Sequence, residues 1–240
     1  MESEIFTQHI SRKYNEELEN LRAQVSNMGG LVERQLNQAI ESITAADSQM
    51  GLDVASRDVE VNQFEVDIDE ECSRLLATRA PAAADLRLIV AVIKVITDLE
   101  RIGDEAQRLG ILSARLASQS QPREGYQELK TLGEHVQDMV HDALDAFSRL
   151  DVSDALRVVE EDKYVDEEYD MISRQCITLM MEDPRTISRF MDVSWAARAL
   201  ERIGDHAKNI CEYVVYLVEG KDVRHTEIEE VRDLLDDANY

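Results

Sequence analysis

Apolar residues recur along most of the chain in steps of three and four, which is the spacing of one face of an α-helix. The two clearest rows lie in the last predicted helix of each half of the chain. Such steps are typical of helices in coiled-coil-like bundles. The second-half row is Val193, Ala196, Leu200, Ile203, Ala207, Ile210, Val214 and Leu217. The first-half row is Val92, Val95, Leu99, Ile102, Ala106, Leu109 and Leu116, with the polar Ser113 interrupting it before Leu116. The pattern predicts six long helices near 8–46, 51–79, 81–117, 126–149, 152–181 and 184–219.

The two halves of the chain also repeat one another. LERIGDEA at 99–106 and LERIGDHA at 200–207 differ at one position, and an offset of 104 pairs Gly29 with Gly133 and Cys72 with Cys176. Self-similarity of this kind indicates an internal duplication. We therefore predict an all-α fold of two tandem three-helix bundles at 1–120 and 121–220, followed by an acidic C-terminal tail at 221–240.

The composition agrees with an acidic helical protein, because 9 Gly and 3 Pro are few for a fold rich in turns. The formal net charge of -24 repels nucleic acid and anionic lipid, and it favours cations and basic partner surfaces. No apolar run approaches the ~18 residues of a membrane span. The N-terminus has no signal-peptide pattern, and the three cysteines lack metal-finger spacing. We expect a cytoplasmic protein with reduced thiols.

The repeated motif places two carboxylates four residues apart, Glu100 with Asp104 and Glu201 with Asp205. On a helix this spacing puts both on one face, where they repel each other. A bound cation would offset the repulsion, since Mg, Ca, Mn and iron all accept carboxylate oxygens. The apolar row faces the bundle, so we expect these carboxylates to point sideways and outward. A solvated acidic stripe without metal is the alternative.

Two neighbours of the carboxylates bear on this choice. Arg101 and Arg202 could neutralise them in place of a metal. Gly103 and Gly204 lie mid-helix, where glycine costs about 1 kcal/mol relative to alanine. The glycines therefore indicate close approach of another helix or of a ligand.

The middle helix of each repeat offers further oxygen ligands. Asp58 and Asp162 interrupt equivalent apolar rows, and Asn62 and Asp166 follow one turn later, within reach of the same cation. Ordinary hydrogen bonding between helices is the alternative, above all for Asp58 and Asp162. We predict a metal site in each repeat, with Asn62 making the first the weaker.

The other residues that could have a functional role give weaker signals. We expect His206 and the Asp138–His141 pair to be exposed, Trp195 to pack between helices, and Gly29–Gly30 to mark a kink or close packing inside a helix. No Glu-x-x-His ligand pair, phosphate loop or nucleophile motif occurs in the sequence. The sequence therefore argues against an enzyme, with a carboxylate-bridged, metal-dependent bundle enzyme kept as the alternative function.

Several segments resemble the PhoU family of bacterial phosphate-specific transport accessory proteins. They are the two LERIGD motifs, HISRKYNEELENLRAQVSNMGGLVE, IDEECSRLLATRAPAAADLRL, TLMMEDPRTI and DVRHT. The resemblance runs from about Gln8 to Thr226, nearly the whole chain.

The resemblance implies a negative regulator of the phosphate-starvation response and of phosphate uptake. Family members are thought to couple the ATPase of the phosphate ABC transporter to a sensor histidine kinase, and they commonly form homodimers. Contact with the membrane would then occur through these partners only. The metal-binding motif of the family maps onto Glu100/Asp104 and Glu201/Asp205, and Asn62 and Asp166 match its position on the middle helix.

Overall fold

The chain folds into long antiparallel helices, as its apolar pattern predicts. The computed structural model describes residues 12–119, 126–224 and 226. Within these residues there are six α-helices and no strand. The helices are α1 (Arg12–Ala45), α2 (Ser48–Arg79), α3 (Ala84–Ala117), α4 (Tyr126–Arg149), α5 (Val152–Glu182) and α6 (Ile187–Glu219), with a 3₁₀ turn at Pro184–Thr186 before α6. The predicted start of the first helix at residue 8 and most of the predicted tail lie outside the described residues.

Side-chain caps explain where several helices begin. Asp47 accepts a hydrogen bond from the backbone N–H of Met50 at 3.0 Å, so α2 begins three residues before its predicted start. Asp151 caps α5 in the same way. The first turn before α6 has the predicted Asp183 cap followed by Pro184. The prediction for α3 was three residues too early, because Ala83 has a φ of 48°, outside the right-handed helical region.

The two repeats share one hydrophobic core. In each repeat the three helices pack on one another, and α1 and α3 of the first also pack on α4 and α6 of the second. These four helices form the centre, while α2 and α5 flank it on opposite sides. Every residue of the two predicted apolar rows is buried, including Ser113. No helix in the described ranges is long and apolar enough to span a membrane.

Equivalent glycines bring α1 and α4 together. A β-carbon built on Gly29 would lie 2.7 Å from Cδ2 of Leu144, and one built on Gly133 would lie 2.9 Å from Cγ2 of Ile40. Ile40 and Leu144 are themselves repeat-equivalent, at the offset of 104. Each contact is therefore the symmetry counterpart of the other, as in a two-fold dimer interface. Of the two interpretations of Gly29, close packing is the right one.

The second contact between the repeats joins α3 and α6, the two motif helices. They run antiparallel, because positions later in α3 meet positions earlier in α6. Polar contacts across this interface include Asp98 with His206 at 2.7 Å, Glu105 with Arg202 at 3.1 Å, and Arg115 with Asp192 at 2.7 Å. The acidic partners in all three are buried, and each contact pairs a carboxylate with a basic side chain.

Two expectations about α6 were wrong. His206 is 7% exposed rather than on the surface, because α6 has a second buried face against α3 that a single apolar row does not reveal. Trp195 is 47% exposed rather than packed between helices, since it lies at the edge of that interface beside Arg115 and Ile111. The expectation that Asp138 and His141 are exposed is confirmed.

A close backbone contact between α2 and α3 predicts the effect of one substitution. A β-carbon on Gly51 would lie 2.5 Å from the carbonyl oxygen of Gly110. We expect Gly51→Ala to lower the free energy of unfolding by about 2 kcal/mol, because backbone atoms must shift. Gly30→Ala is the control, since its β-carbon would meet only the flexible Arg34 side chain at 3.4 Å.

Urea unfolding of both variants measures the difference. The control should be stabilised by about 0.5–1 kcal/mol through its higher helix propensity. Equal stabilities for Gly51→Ala and the wild type would contradict the tight α2–α3 contact.

Candidate functional site

Each LERIGD motif lies beside the middle helix of its own repeat. A β-carbon on Gly103 would lie 3.1 Å from both Oδ1 of Asp58 and Cγ1 of Val61 on α2. One on Gly204 would lie 3.2 Å from Cγ1 of Val165 on α5. The glycines thus admit a neighbouring helix at the turn that bears the carboxylates. The predicted close approach is confirmed, and its partner is a helix.

In the first repeat this approach gathers an acidic group that we name the first cluster. Its members are Asp58, Asn62, Glu65, Glu100 and Asp104. The pKa of Glu100 is raised, by burial first and then by three neighbouring carboxylates of the cluster. The pKa of Glu65 is raised as well, by burial and then by Asp69. Within the described chain, no Lys or Arg forms an ion pair with any of these carboxylates.

Two amides hold Asp58, the innermost carboxylate of the first cluster. Gln35 on α1 donates to Oδ1 at 3.3 Å, and Asn62 donates to Oδ2 at 3.3 Å. Burial and the charge of Asp104 still raise the pKa of Asp58 overall, against these two bonds. The interhelical hydrogen bonding considered for Asp58 is therefore present. It only partly stabilises the negative charge of the Asp58 carboxylate.

The second cluster consists of the equivalent residues Asp162, Asp166, Glu201 and Asp205. Glu201 is 7% exposed, so the expectation that it points outward was wrong. Arg198, three residues earlier on α6, forms an ion pair with its Oε1 and covers it. Burial, and then the charge of Asp205, raise the pKa of Glu201 to about 7. Asp205 is partly buried, and Asp166 is exposed.

The innermost carboxylate of the second cluster is paired with a lysine. Nζ of Lys208 lies 2.8 Å from Oδ2 of Asp162. Burial and then the charge of Asp162 raise the pKa of Asp205, in spite of Lys208 nearby. Partial desolvation and the same charge also raise the pKa of Asp166, although its side chain is exposed. The second cluster is therefore acidic but contains two basic side chains, Lys208 and Arg198.

Oxygen atoms in the clusters, and in the Gln35 side chain that contacts the first, lack hydrogen-bond partners among the residues that the structure describes. They are Oε2 of Glu201, Oδ1 of Asn62 and Oε1 of Gln35, all inaccessible to solvent. A buried acceptor without a partner costs about 1–3 kcal/mol. Acceptors of this kind, in clusters whose carboxyl pKa values are raised, are suited to a cation. The donor set of carboxylate and amide oxygens fits a hard metal ion.

The clusters are not preformed coordination spheres. Across residues 12–119, 126–224 and 226, no three His, Cys, Asp or Glu side chains converge closely enough to hold a metal ion. The structure brings each predicted pair, Glu100/Asp104 and Glu201/Asp205, beside the middle helix. Side-chain rotation would be needed to direct several oxygens at one point.

Sequence reasoning missed two members of this region. Glu65 follows Asp58 by seven residues, and Lys208 follows Glu201 by seven, so each shares a helix face with a residue already singled out. Extending the search by one heptad beyond Asp58 and Glu201 would have found them. Neither has a like-charged repeat equivalent, since Tyr169 and Gln107 occupy those positions.

Comparison with known proteins places this arrangement in a family. The PhoU domain matches residues 25–110 and again residues 129–214, and each copy contains one cluster. The chain belongs to the PhoU family. It is 51% identical over 222 residues to the phosphate-specific transport system accessory protein PhoU homolog of Pseudomonas putida, covering 92% of this chain and 87% of that protein. The PhoU accessory protein of Escherichia coli K12 is 45% identical over 236 residues, covering 98% and 97%.

Solved PhoU structures share the fold. The crystal structure of PhoU from Pseudomonas aeruginosa has a TM-score of 0.85 at 50% identity, covering 87% of this chain and 100% of that one. The phosphate transport system regulatory protein PhoU from Streptococcus pneumoniae has a TM-score of 0.81 at 28% identity, covering 88% and 99%. The homologues of this chain are thus PhoU accessory proteins of the phosphate transport system, with accessory and regulatory rather than enzyme names.

The buried carboxyl group of Glu201 predicts a pH-dependent stability. Its pKa is about 7 in the folded protein against an ordinary value of 4.5, so the folded state binds this proton more tightly than the unfolded chain does. The resulting stability is complete below pH 4.5 and is lost as the pH rises through 7, by at most about 3 kcal/mol. Glu201→Gln mimics the protonated form, so it should match the wild type near pH 4.5 and exceed its stability at pH 8.

Urea unfolding in EDTA across this pH range provides the measurement. Glu167→Gln removes an exposed carboxylate of α5 and is the matched control, which measures the effect of the same chemical change at an exposed position. A pH-independent difference for Glu201→Gln would show that Glu201 titrates normally.

Proposed function

We propose that this protein is a negative regulator of the phosphate-starvation response and of phosphate uptake. In this role it couples the ATPase subunit of a phosphate ABC transporter to a phosphate-sensing histidine kinase in the cytoplasm. The observation that carries the proposal is the match to PhoU accessory proteins through both repeats. A long acidic bundle also suits a protein that docks on basic surfaces of its partners.

The proposal includes metal ions at the two clusters. Glu100 and Asp104 with Asn62 would hold one ion, and Glu201 and Asp205 with Asp166 would hold the other. The supporting observations are the raised carboxyl pKa values and the buried oxygens without partners. A bound Mg, Mn, Ca or iron ion would supply positive charge that neutralises neighbouring carboxylates and links the two helices that bear them.

The position of the clusters suggests how they would act. Each lies where α3 or α6 meets its flanking helix, while the opposite side of α3 and α6 carries the contact between the repeats. Side chains at each cluster therefore influence how α2 or α5 sits against the central helices. We propose that metal fixes the flanking helices and so shapes the outer surface offered to partners, including a second copy in a homodimer.

Removing the carboxylates of one cluster tests the metal assignment. We expect Glu201→Ala combined with Asp205→Ala to lose about half of the bound metal, because one of two oxygen-ligand sites is removed. Elemental analysis after equilibration with Mn²⁺ and desalting measures the stoichiometry. Glu167→Ala, which removes an exposed carboxylate of α5, should retain the wild-type content. An unchanged stoichiometry in the double variant would disprove the assignment.

The regulatory role is tested in a bacterium that lacks its own PhoU protein. Expression of this chain should lower a phosphate-starvation reporter in phosphate-rich medium by about tenfold, because a protein that holds the kinase in its non-activating state limits transcription. Pull-down of the transporter ATPase and the histidine kinase provides the accompanying binding measurement. Full reporter activity with normal expression of the chain would contradict the proposal.

A further inference from the structure

The two clusters differ in the charges that the protein itself supplies. Nζ of Lys208 lies 2.8 Å from Oδ2 of Asp162 in the second cluster. Burial acts to lower the pKa of Lys208, but the hydrogen bond to Asp162 and nearby carboxylates outweigh it and raise the pKa, so the side chain is a cation at neutral pH. The second cluster thus has an ammonium group bonded to its innermost carboxylate.

The first cluster has an amide at the equivalent position. Gln107 corresponds to Lys208 at the offset of 101, and it donates to the backbone carbonyl of Ala55 on α2 at 3.2 Å. Among the described residues, Asp58, the counterpart of Asp162, is bonded only to amides. The ion pair between Arg198 and Glu201 is a second difference between the clusters. Thr97 occupies the position of Arg198 in the first repeat, so the first cluster has no arginine there.

We propose that Lys208 is an internal competitor for metal, so that the first cluster binds metal ions more tightly than the second. The inference rests on the proposed metal sites and concerns their order of filling. This order of affinity is the reverse of the one expected from Asn62 alone. The first metal site has one ligand carboxylate fewer, since Asn62 takes the place of Asp166, but the second cluster has two basic side chains, which lower its affinity for a cation by more.

The physical reason is the electrostatic cost of bringing a second cation beside a bound one. A metal ion at Glu201 and Asp205 would sit near the Lys208 ammonium, and repulsion in a partly buried site is only weakly screened. When a metal ion binds there, Lys208 must move away from Asp162. If it stays, its charge lowers the affinity of the site for the metal. Glu212, one turn further along α6, offers an alternative partner, since its charge is among those that act on Lys208.

A reciprocal exchange of the two side chains tests the inference. Lys208→Gln gives the second cluster the amide of the first, and Gln107→Lys gives the first cluster an ammonium group. Each is measured with only the altered cluster intact: Lys208→Gln with Glu100→Gln and Asp104→Asn, and Gln107→Lys with Glu201→Gln and Asp205→Asn. Lys130→Gln removes one positive charge from α4, a helix that bears no member of either cluster, and serves as the control. Circular dichroism verifies that each variant is helical.

Titration with Mn²⁺, followed by the electron paramagnetic resonance signal of the free ion, measures each affinity. We expect Lys208→Gln to tighten the second cluster about tenfold and Gln107→Lys to weaken the first about tenfold, the scale of one charge-assisted hydrogen bond. The control should leave both affinities unchanged. Equal affinities of the two clusters, unaltered by either exchange, would overturn the inference alone. No Mn²⁺ binding to any variant or to the wild type would overturn the metal proposal together with it.

Discussion

The antiparallel packing of α3 against α6 is the contact on which the rest of the molecule depends. Both helices are buried on two sides, against their own bundle and against the other repeat. Carboxylates in this interface must be paired, because an isolated charge there would be strongly destabilising. His206 and Arg202 provide that pairing for Asp98 and Glu105. The motif helices therefore join the two repeats as well as completing each bundle.

This packing also determines where the acidic clusters lie. With two faces of α3 and α6 occupied, the motif carboxylates fall at the edge next to α2 and α5. There burial raises the pKa of Glu100 and Glu201, while Asp104 and Asp205 line open grooves. Gly103 and Gly204 bring the flanking helices close at the same turn. The first cluster, which has no Lys or Arg ion pair among the described residues, suits a reversible ligand better than a permanent core.

Much of this could be predicted from the sequence, and the failures share one cause. Apolar periodicity and the repeat gave the fold class, the six helices and both motif pairs, because these depend on local spacing. The burial of Glu201 depends on the approach of α5 at the same turn as Gly204. The burial of His206 and the exposure of Trp195 depend on which helices meet across the repeats. A single row of apolar residues does not encode that second interface. Lys208 was overlooked because its role depends on an ion pair with Asp162, a residue on another helix.

The paired contacts of Gly29 with Leu144 and of Gly133 with Ile40 have an evolutionary consequence. In a dimer of identical single repeats, one mutation would damage both copies of such a contact at once. In a fused chain each copy is encoded separately, so a change at one position leaves its twin intact. Duplication therefore gives the two halves mutational independence while preserving their shared architecture. The divergence of Gln107 from Lys208 is one product of that freedom.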